Sequence, residues 1–372
     1  VTAITGSVGK TGTRHLVAAC LAANGATHSS KGNYNNHIGA PMSLALMPQN
    51  SRFGVFELGM NHSGEIADLS PMVAPDVAII TRIASSHIGN FNSLDDIAAA
   101  KGEIFDGLTT GGTAILNADD DYTPMLAELA RKAGAERVIT CGFADSADAR
   151  VDSLTHSDNG LSVKASIDGT PLSFTTQMTA PHWAISALMG LVTVKTFGGD
   201  LDASIAALAE VGDLEGRGAH HRLTISGGRQ ITLIDDSYNA SPASMTAALE
   251  SLKTDPAAGR RVAILADMLE LGEASPDLHR DLLPPLRRGG VELVISFGPS
   301  MAELALAANA HDDIITCHTD NAQSAAELAK DNLRDGDVVL VKGSNGMKTH
   351  HVISALTEDA ASFSPEGGAN AT

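Results

Sequence analysis

Aromatic side chains are scarce: one Trp, three Tyr and nine Phe make up 3% of 372 residues. A core must then be built from aliphatic side chains and alanine, with glycine letting elements approach closely, which suits helices packed on parallel sheets. Cysteine is nearly absent. Cys20, Cys141 and Cys317 lie far apart, with no paired spacing for zinc or a disulfide framework, so a reducing cytoplasm is the expected compartment. Cations are outnumbered, 25 Lys and Arg against 44 Asp and Glu, for a net charge of −19. That balance argues against general affinity for nucleic acid or anionic membranes. An anionic ligand must instead be held by local Lys or Arg, backbone N–H groups and metal. No apolar run reaches the roughly 20 residues that span a bilayer, and no signal peptide precedes the first apolar run. An initiator Met is missing and the first predicted strand begins at once, so a preceding domain is expected.

What is present is ordinary in bulk. The chain is 43% hydrophobic and 19% charged, and its length suits two or three domains. Short apolar runs at 2–5, 53–58, 76–81, 113–116 and 137–140 alternate with helical patterns near 11–23, 64–72, 94–107 and 122–133. That order predicts β-α-β units around a parallel sheet. Polar alternation with Asn-Gly and Asp-Gly over 150–178 predicts antiparallel hairpins, followed by helices at 181–197 and near 200–211. "GDLEGRGAHHRL" breaks the pattern and reads as a hinge. Beyond it, strands near 231–235, 261–265, 292–296, 314–316 and 337–342 alternate with helices near 242–253, 276–288, 299–309 and 321–333, a second doubly wound domain. The expected domains are therefore 1–218 and 219–358, with 359–372 a disordered tail.

Chemistry concentrates where predicted strands end. In "AITGSVGKTGT" an apolar run meets Gly6, Gly9, Lys10 and Thr11 just before a helix. Backbone N–H groups at such a turn form an anion cradle, and a lysine and a hydroxyl beside them can hold a phosphate and its Mg²⁺. The common phosphate loop has four residues between its glycines; here only Ser7 and Val8 intervene. Glu57 falls at the carboxyl end of a strand, where a carboxylate suits Mg²⁺ on a nucleotide phosphate. His87 lies just past another strand, in the manner of an ordinary loop histidine as much as of a ligand. Lys101 sits on a helix with no acid four residues away to pair with it. Asn117, Asp119 and Asp120 end a strand where a turn alone would call for them. Asp235, Asp236, Ser237 and Asn239 end the first strand of the second domain, where Ser241-Pro242 reads as a helix start.

The order of these segments resembles the Mur ligases, the ATP-dependent amide-forming enzymes of peptidoglycan assembly. "TGSVGKTGT" is similar to their short phosphate loop. "KGNYNNHIGAP", "DDSYNASPASM", "DMLELGE" and "LVKGSNGMK" resemble the member that adds D-alanyl-D-alanine to UDP-N-acetylmuramoyl-tripeptide. The resemblance runs through the family's central and C-terminal domains, without the amino-terminal domain that holds the UDP group. It implies an α/β fold with a central ATP-binding parallel-sheet domain and a Rossmann-like C-terminal domain. It implies that Gly6, Ser7, Val8, Gly9, Lys10 and Thr11 hold the ATP phosphates, with Asn117, Arg217 and Asp236 also reaching the nucleotide. Thr11, Glu57, His87 and Lys101 would serve two Mg²⁺ ions, Lys101 as a carbamate, and Lys10, Lys101 and His87 would be catalytic. Asn36, His37 and Asn239 would shape the substrate region. One departure stands out: the family's "HNxxN" adenine segment is "HWAIS" here, with Trp183 and Ser186 in place of the asparagines.

The implied reaction is amide formation through an acyl phosphate, in the cytoplasm, by a monomer with no nucleic-acid partner. Two alternatives stay open: another ligase of this fold, such as a folylpolyglutamate synthase, or an inactive ATP-binding homologue. A GTPase-like switch would need a guanine-reading "NKxD" segment, and none occurs.

Overall fold

The computed structural model describes residues 1–30, 32, 34–84, 88–157, 160–212, 214–254, 259–311 and 313–363. These form two compact units, Val1–Gly212 and Asp213–Thr372.

The first unit carries nine strands: β1 (Thr2–Thr5), β2 (Thr27–Ser29), β3 (Phe53–Glu57), β4 (Val77–Ile80), β5 (Thr113–Asn117), β6 (Arg137–Gly142), β7 (Ala149–Ser157), β8 (Gly160–Ile167) and β9 (Thr170–Thr176). Their order across the sheet is β2-β3-β1-β4-β5-β6-β7-β8-β9. Pairing is parallel from β2 through β7 and antiparallel from β7 to β9. β1, β3 and β4 are buried along their whole length, as continuous apolar runs covered on both faces must be. The helix Lys10–Ala22 packs on the helix His182–Thr196, and glycine makes the approach possible. A Cβ on Gly12 would lie 1.9 Å from the Trp183 ring, and one on Gly190 would lie 3.0 Å from Cys20 Sγ.

The second unit carries β10 (Ala219–Ile225), β11 (Arg229–Asp236), β12 (Arg261–Ala266), β13 (Val291–Phe297), β14 (Ile315–Thr319) and β15 (Val338–Lys342). Their order is β10-β11-β15-β12-β13-β14. All pairs are parallel except β10 with β11. The buried faces of β11, β12, β13 and β15 join helices Ala322–Asn332 and His350–Phe363 in one core.

Strand β2 and the helix Gly39–Ala45 go beyond the sequence expectation, and other details differ from it as well. The glycine-rich hinge segment contributes β10, an edge strand. Gly216 N and Gly218 N donate to Asp235, which ties that stretch to β11 and the second unit. The predicted helix at 276–288 is two short helices, Ser275–Arg280 and Leu283–Gly289, because Pro284 and Pro285 can start a helix but not continue one. The predicted helix at 94–107 is α-helical only over Leu94–Gly102 and tightens into a 3₁₀ turn over Glu103–Gly107. The final helix reaches Phe363, so residues 359–363 of the expected tail are helical, and 364–372 lie outside the described residues.

Candidate functional site

Where β1 ends at Thr5, the chain turns through Gly6-Ser7-Val8-Gly9 into the helix beginning at Lys10. Thr81, just past β4, shapes this loop: its hydroxyl lies 2.6 Å from the Val8 carbonyl and 3.2 Å from that of Thr5. Ser7 N donates to the Arg82 carbonyl at 2.7 Å. Gly6 has φ 147°, and a Cβ there would lie 2.0 Å from Thr81 Oγ1. Gly9 is the helix N-cap with φ 86° and no capping side chain, so the first-turn N–H groups point into the loop. The helix dipole and these donors favour an anion here. Lys10 folds back over the loop, with Nζ donating to the Gly6 carbonyl at 2.8 Å.

Beside the loop, Glu57 ends β3 with its side chain buried at 2% exposure. Its Oε2 accepts from Thr11 Oγ1 at 2.9 Å, and its Oε1 accepts from Asn35 Nδ2 at 2.9 Å. Arg14 Nε stands 3.5 Å from Oε2, while its guanidinium also donates to Ser29 Oγ and the Ser30 carbonyl. This arrangement fits Mg²⁺. The cation takes hard oxygen donors at about 2.0–2.1 Å in an octahedron, so adjacent ligand oxygens stand about 2.9 Å apart. The Thr11–Glu57 oxygen pair has that spacing. No cluster of three His, Cys, Asp or Glu side chains that could hold a metal occurs among the described residues. Thr11 Oγ1 and Glu57 Oε2 supply a pair of oxygens, in keeping with an ion that retains water and ligand phosphate.

Lys101 lies on the helix Leu94–Gly102 with only 2% of its surface exposed. Burial pushes its amine well below the usual lysine range; the nearby Lys10 charge adds to this and Glu103 opposes it. His87 lies outside the described residues.

Other sequence candidates make hydrogen bonds within the fold. Asn117 donates to the Thr81 carbonyl and accepts from Asp119 N, at 2.9 and 3.0 Å, so its amide supports the loop wall. Asp120 accepts from Ile83 N and Tyr122 N, and Asp119 from Phe143 N and Ala144 N. Asn36 Oδ1 accepts from Ile38 N and Gly39 N, starting the helix Gly39–Ala45, while the neighbouring His37 is exposed. In the second unit, Asp236 accepts from Lys342 Nζ at 2.7 Å, and the same amine donates to the Asn239 carbonyl at 3.0 Å. Burial raises the Asp236 carboxyl above the usual aspartate range, against the pull of Lys342 and Arg217. The Arg217 guanidinium lies over the Tyr238 ring, 4.1 Å from its centroid.

Residues 4–194 match the Mur ligase middle domain, and residues 221–345 match the Mur ligase, glutamate ligase domain. The chain belongs to the Mur ligase family. This Mur ligase is 31% identical over 354 residues to the UDP-N-acetylmuramoyl-tripeptide--D-alanyl-D-alanine ligase of Rickettsia prowazekii, covering 94% of this chain and 76% of that protein. It is 32% identical to the enzyme of the same name from Bacillus subtilis, covering 96% and 76%. Its fold matches the crystal structure of MurF from Acinetobacter baumannii with a TM-score of 0.84 at 26% identity, over 96% of this chain and 76% of that one.

Four residues that shape this Mur ligase's sites carry no distinctive sequence signal. Asn35 is indistinguishable from Asn36 until strand-end geometry separates them. Arg14 lies one helical turn beyond Lys10 and reads as a surface cation. Thr81 is an ordinary strand-end threonine. Lys342 ends a buried strand inside a motif whose resemblance assigned it no role. In "HWAIS", Trp183 packs on Gly12 and Ser186 Oγ accepts from Thr13 Oγ1 at 3.0 Å, so both side chains secure the phosphate-loop helix.

Proposed function

We infer that this Mur ligase adds D-alanyl-D-alanine to UDP-N-acetylmuramoyl-tripeptide, driven by ATP cleavage, in peptidoglycan precursor synthesis. The observation that carries the reading is similarity running through both units to ligases that bear this activity in their names. The reaction has two steps. The tripeptide carboxylate attacks the γ-phosphorus of ATP, the bond to the bridging oxygen breaks, and an acyl phosphate and ADP result. The dipeptide amine then attacks the acyl carbonyl, and the tetrahedral intermediate expels phosphate as the amine loses its proton. Both attacking carboxylate and triphosphate are anions, so alignment and charge neutralisation are the main tasks.

The residues divide that work as follows. Gly6, Ser7, Val8 and Gly9 present backbone N–H groups to the phosphates. Lys10 exchanges its contact with the Gly6 carbonyl for phosphate oxygens, supplying positive charge. Thr11 and Glu57 are the residues that would hold a Mg²⁺ ion, which when bound neutralises phosphate charge. A second ion is assigned to His87 and Lys101. For that role Lys101 must become an anion: its neutral amine adds CO₂, a C–N bond forms, and one proton is released. Its burial and depressed basicity support this, because only the neutral amine reacts. Arg217 and Asp236 are assigned to the nucleotide, with Asn36, His37 and Asn239 on the peptide substrates. Asn117, whose amide also donates to the Thr81 carbonyl, is likewise assigned to the nucleotide. Steady-state release of ADP over many turnovers that requires both the muramoyl-tripeptide and the dipeptide tests the function; multiple-turnover release at the same rate without the dipeptide would refute it.

A further inference from the structure

We propose that Asn35 is a positioning residue that fixes the rotation of the Glu57 carboxylate, so that Oε2 faces Thr11 and the cation. The proposal rests on the reading of Thr11 and Glu57 as the magnesium-side oxygen pair.

A glutamate at a strand end has a soft terminal torsion, broad and roughly two-fold. Left alone, its two oxygens would exchange places or swing away from the Thr11 hydroxyl. Here each oxygen has its own donor: Asn35 Nδ2 to Oε1 and Thr11 Oγ1 to Oε2, both at 2.9 Å. The donor types differ in a useful way. The Thr11 hydroxyl keeps its lone pairs for a metal while donating its proton. The Asn35 amide is neutral, so it restrains the far oxygen without placing a second cation beside the metal. Arg14, 3.5 Å from Oε2 and tied to β2, already compensates the buried charge.

Asn35 is itself held. Its carbonyl accepts from Gly59 N at 2.7 Å, pinning it to the chain just past β3. Gly59 leaves room for the amide: a Cβ there would lie 3.0 Å from Asn35 Cγ and Oδ1. On the other side Asn36 Oδ1 accepts from Gly39 N at 2.8 Å, so the backbone is anchored on both sides of the amide. Outer partners that orient metal ligands in this manner typically matter 10- to 100-fold in metal affinity or activity.

The test is Mn²⁺ binding in the presence of saturating ADP, read from free Mn²⁺ by electron paramagnetic resonance, for the unaltered chain, Asn35→Leu and Gly59→Ala. Asn35→Leu is expected to weaken Mn²⁺ binding about 10- to 100-fold. The Mg²⁺ concentration for half-maximal turnover should shift in parallel. ADP affinity in EDTA, the KM for the dipeptide and the circular dichroism spectrum should stay unchanged. Gly59→Ala, which displaces the amide from the other side, should move Mn²⁺ affinity in the same direction by less, and it decides the matter if Asn35→Leu does not fold. Unaltered Mn²⁺ affinity in a folded variant overturns the proposal while leaving the magnesium reading intact. So does an equal loss of ADP affinity in EDTA, which would make Asn35 a general scaffold for the loop. Absence of Mn²⁺ binding by the unaltered chain overturns the magnesium reading and this proposal together.

Discussion

Replacing Gly6 by Ala should cripple nucleotide binding while leaving the fold standing. At φ 147° the backbone lies where L side chains rarely go, and the new Cβ would sit 2.0 Å from Thr81 Oγ1. The hydroxyl must then leave the Val8 carbonyl, 2.6 Å away, and take its hold on the loop with it. Backbone strain of this kind costs about 1–3 kcal/mol, and a lost hydrogen bond about 0.5–1.5 kcal/mol. The loop relieves part of that by shifting, so the cost falls on the phosphate-binding shape as well as on the buried Thr81 contact. A ligand that restores the shape forfeits about 2–4 kcal/mol of binding, which is roughly 30- to several-hundred-fold in Kd. Calorimetric titration with ADP reads this directly, and a thermal melt reports the fold. ADP affinity within threefold of the unaltered chain, with a native melt, would refute the assignment of Gly6–Thr11 as the phosphate loop.

Further expectations follow from the same geometry. Lys10→Ala should abolish ligation and sharply weaken ATP binding while the far-ultraviolet spectrum stays native; normal ligation by the folded variant would sink that role. Lys101→Ala should lose turnover and regain part of it with acetate, which refills the oxygen-donor position, whereas Lys101→Arg should fail because a permanent cation cannot take up CO₂. Near-normal turnover in Lys101→Arg would exclude the carbamate. The Asp236 carboxyl is raised by burial, so the folded chain holds its proton to higher pH than the unfolded chain does. Its stabilising contribution is therefore complete below the ordinary aspartate value of about 3.9 and is lost as pH rises through the folded value. Chemical denaturation across that interval should show a fall in stability with rising pH that is shallower in Asp236→Asn; an identical slope would contradict it.

Much of the scaffold is legible because it follows from periodicity. Continuous apolar runs such as Thr2–Thr5 and Val77–Ile80 become strands buried on both faces, and the intervening helical patterns become the crossover helices. β10 escapes notice because His220, His221 and Arg222 give an exposed edge strand no apolar signature; only its partner β11 reveals it. The phosphate loop is readable because glycines and a lysine at a strand-to-helix turn leave few other uses. Contacts between distant segments are not readable. The Asn117 amide meets the Thr81 carbonyl and Asp119 N, and no local pattern announces the first of these contacts. Asn35 looks like its neighbour and yet alone reaches Glu57. Which of two adjacent asparagines points inward depends on how the strand end meets the following loop, and no local pattern records that.

The most direct measurement is mass spectrometry of the product formed from ATP, Mg²⁺, UDP-N-acetylmuramoyl-tripeptide and D-alanyl-D-alanine. The expected result is a new species heavier than the tripeptide substrate by the dipeptide less one water, with ADP and phosphate released in equal amount to it. Formation of that amide must stop when either peptide substrate or ATP is left out. ATP cleavage without the amide, or preferential addition of glutamate in place of the dipeptide, would contradict the account.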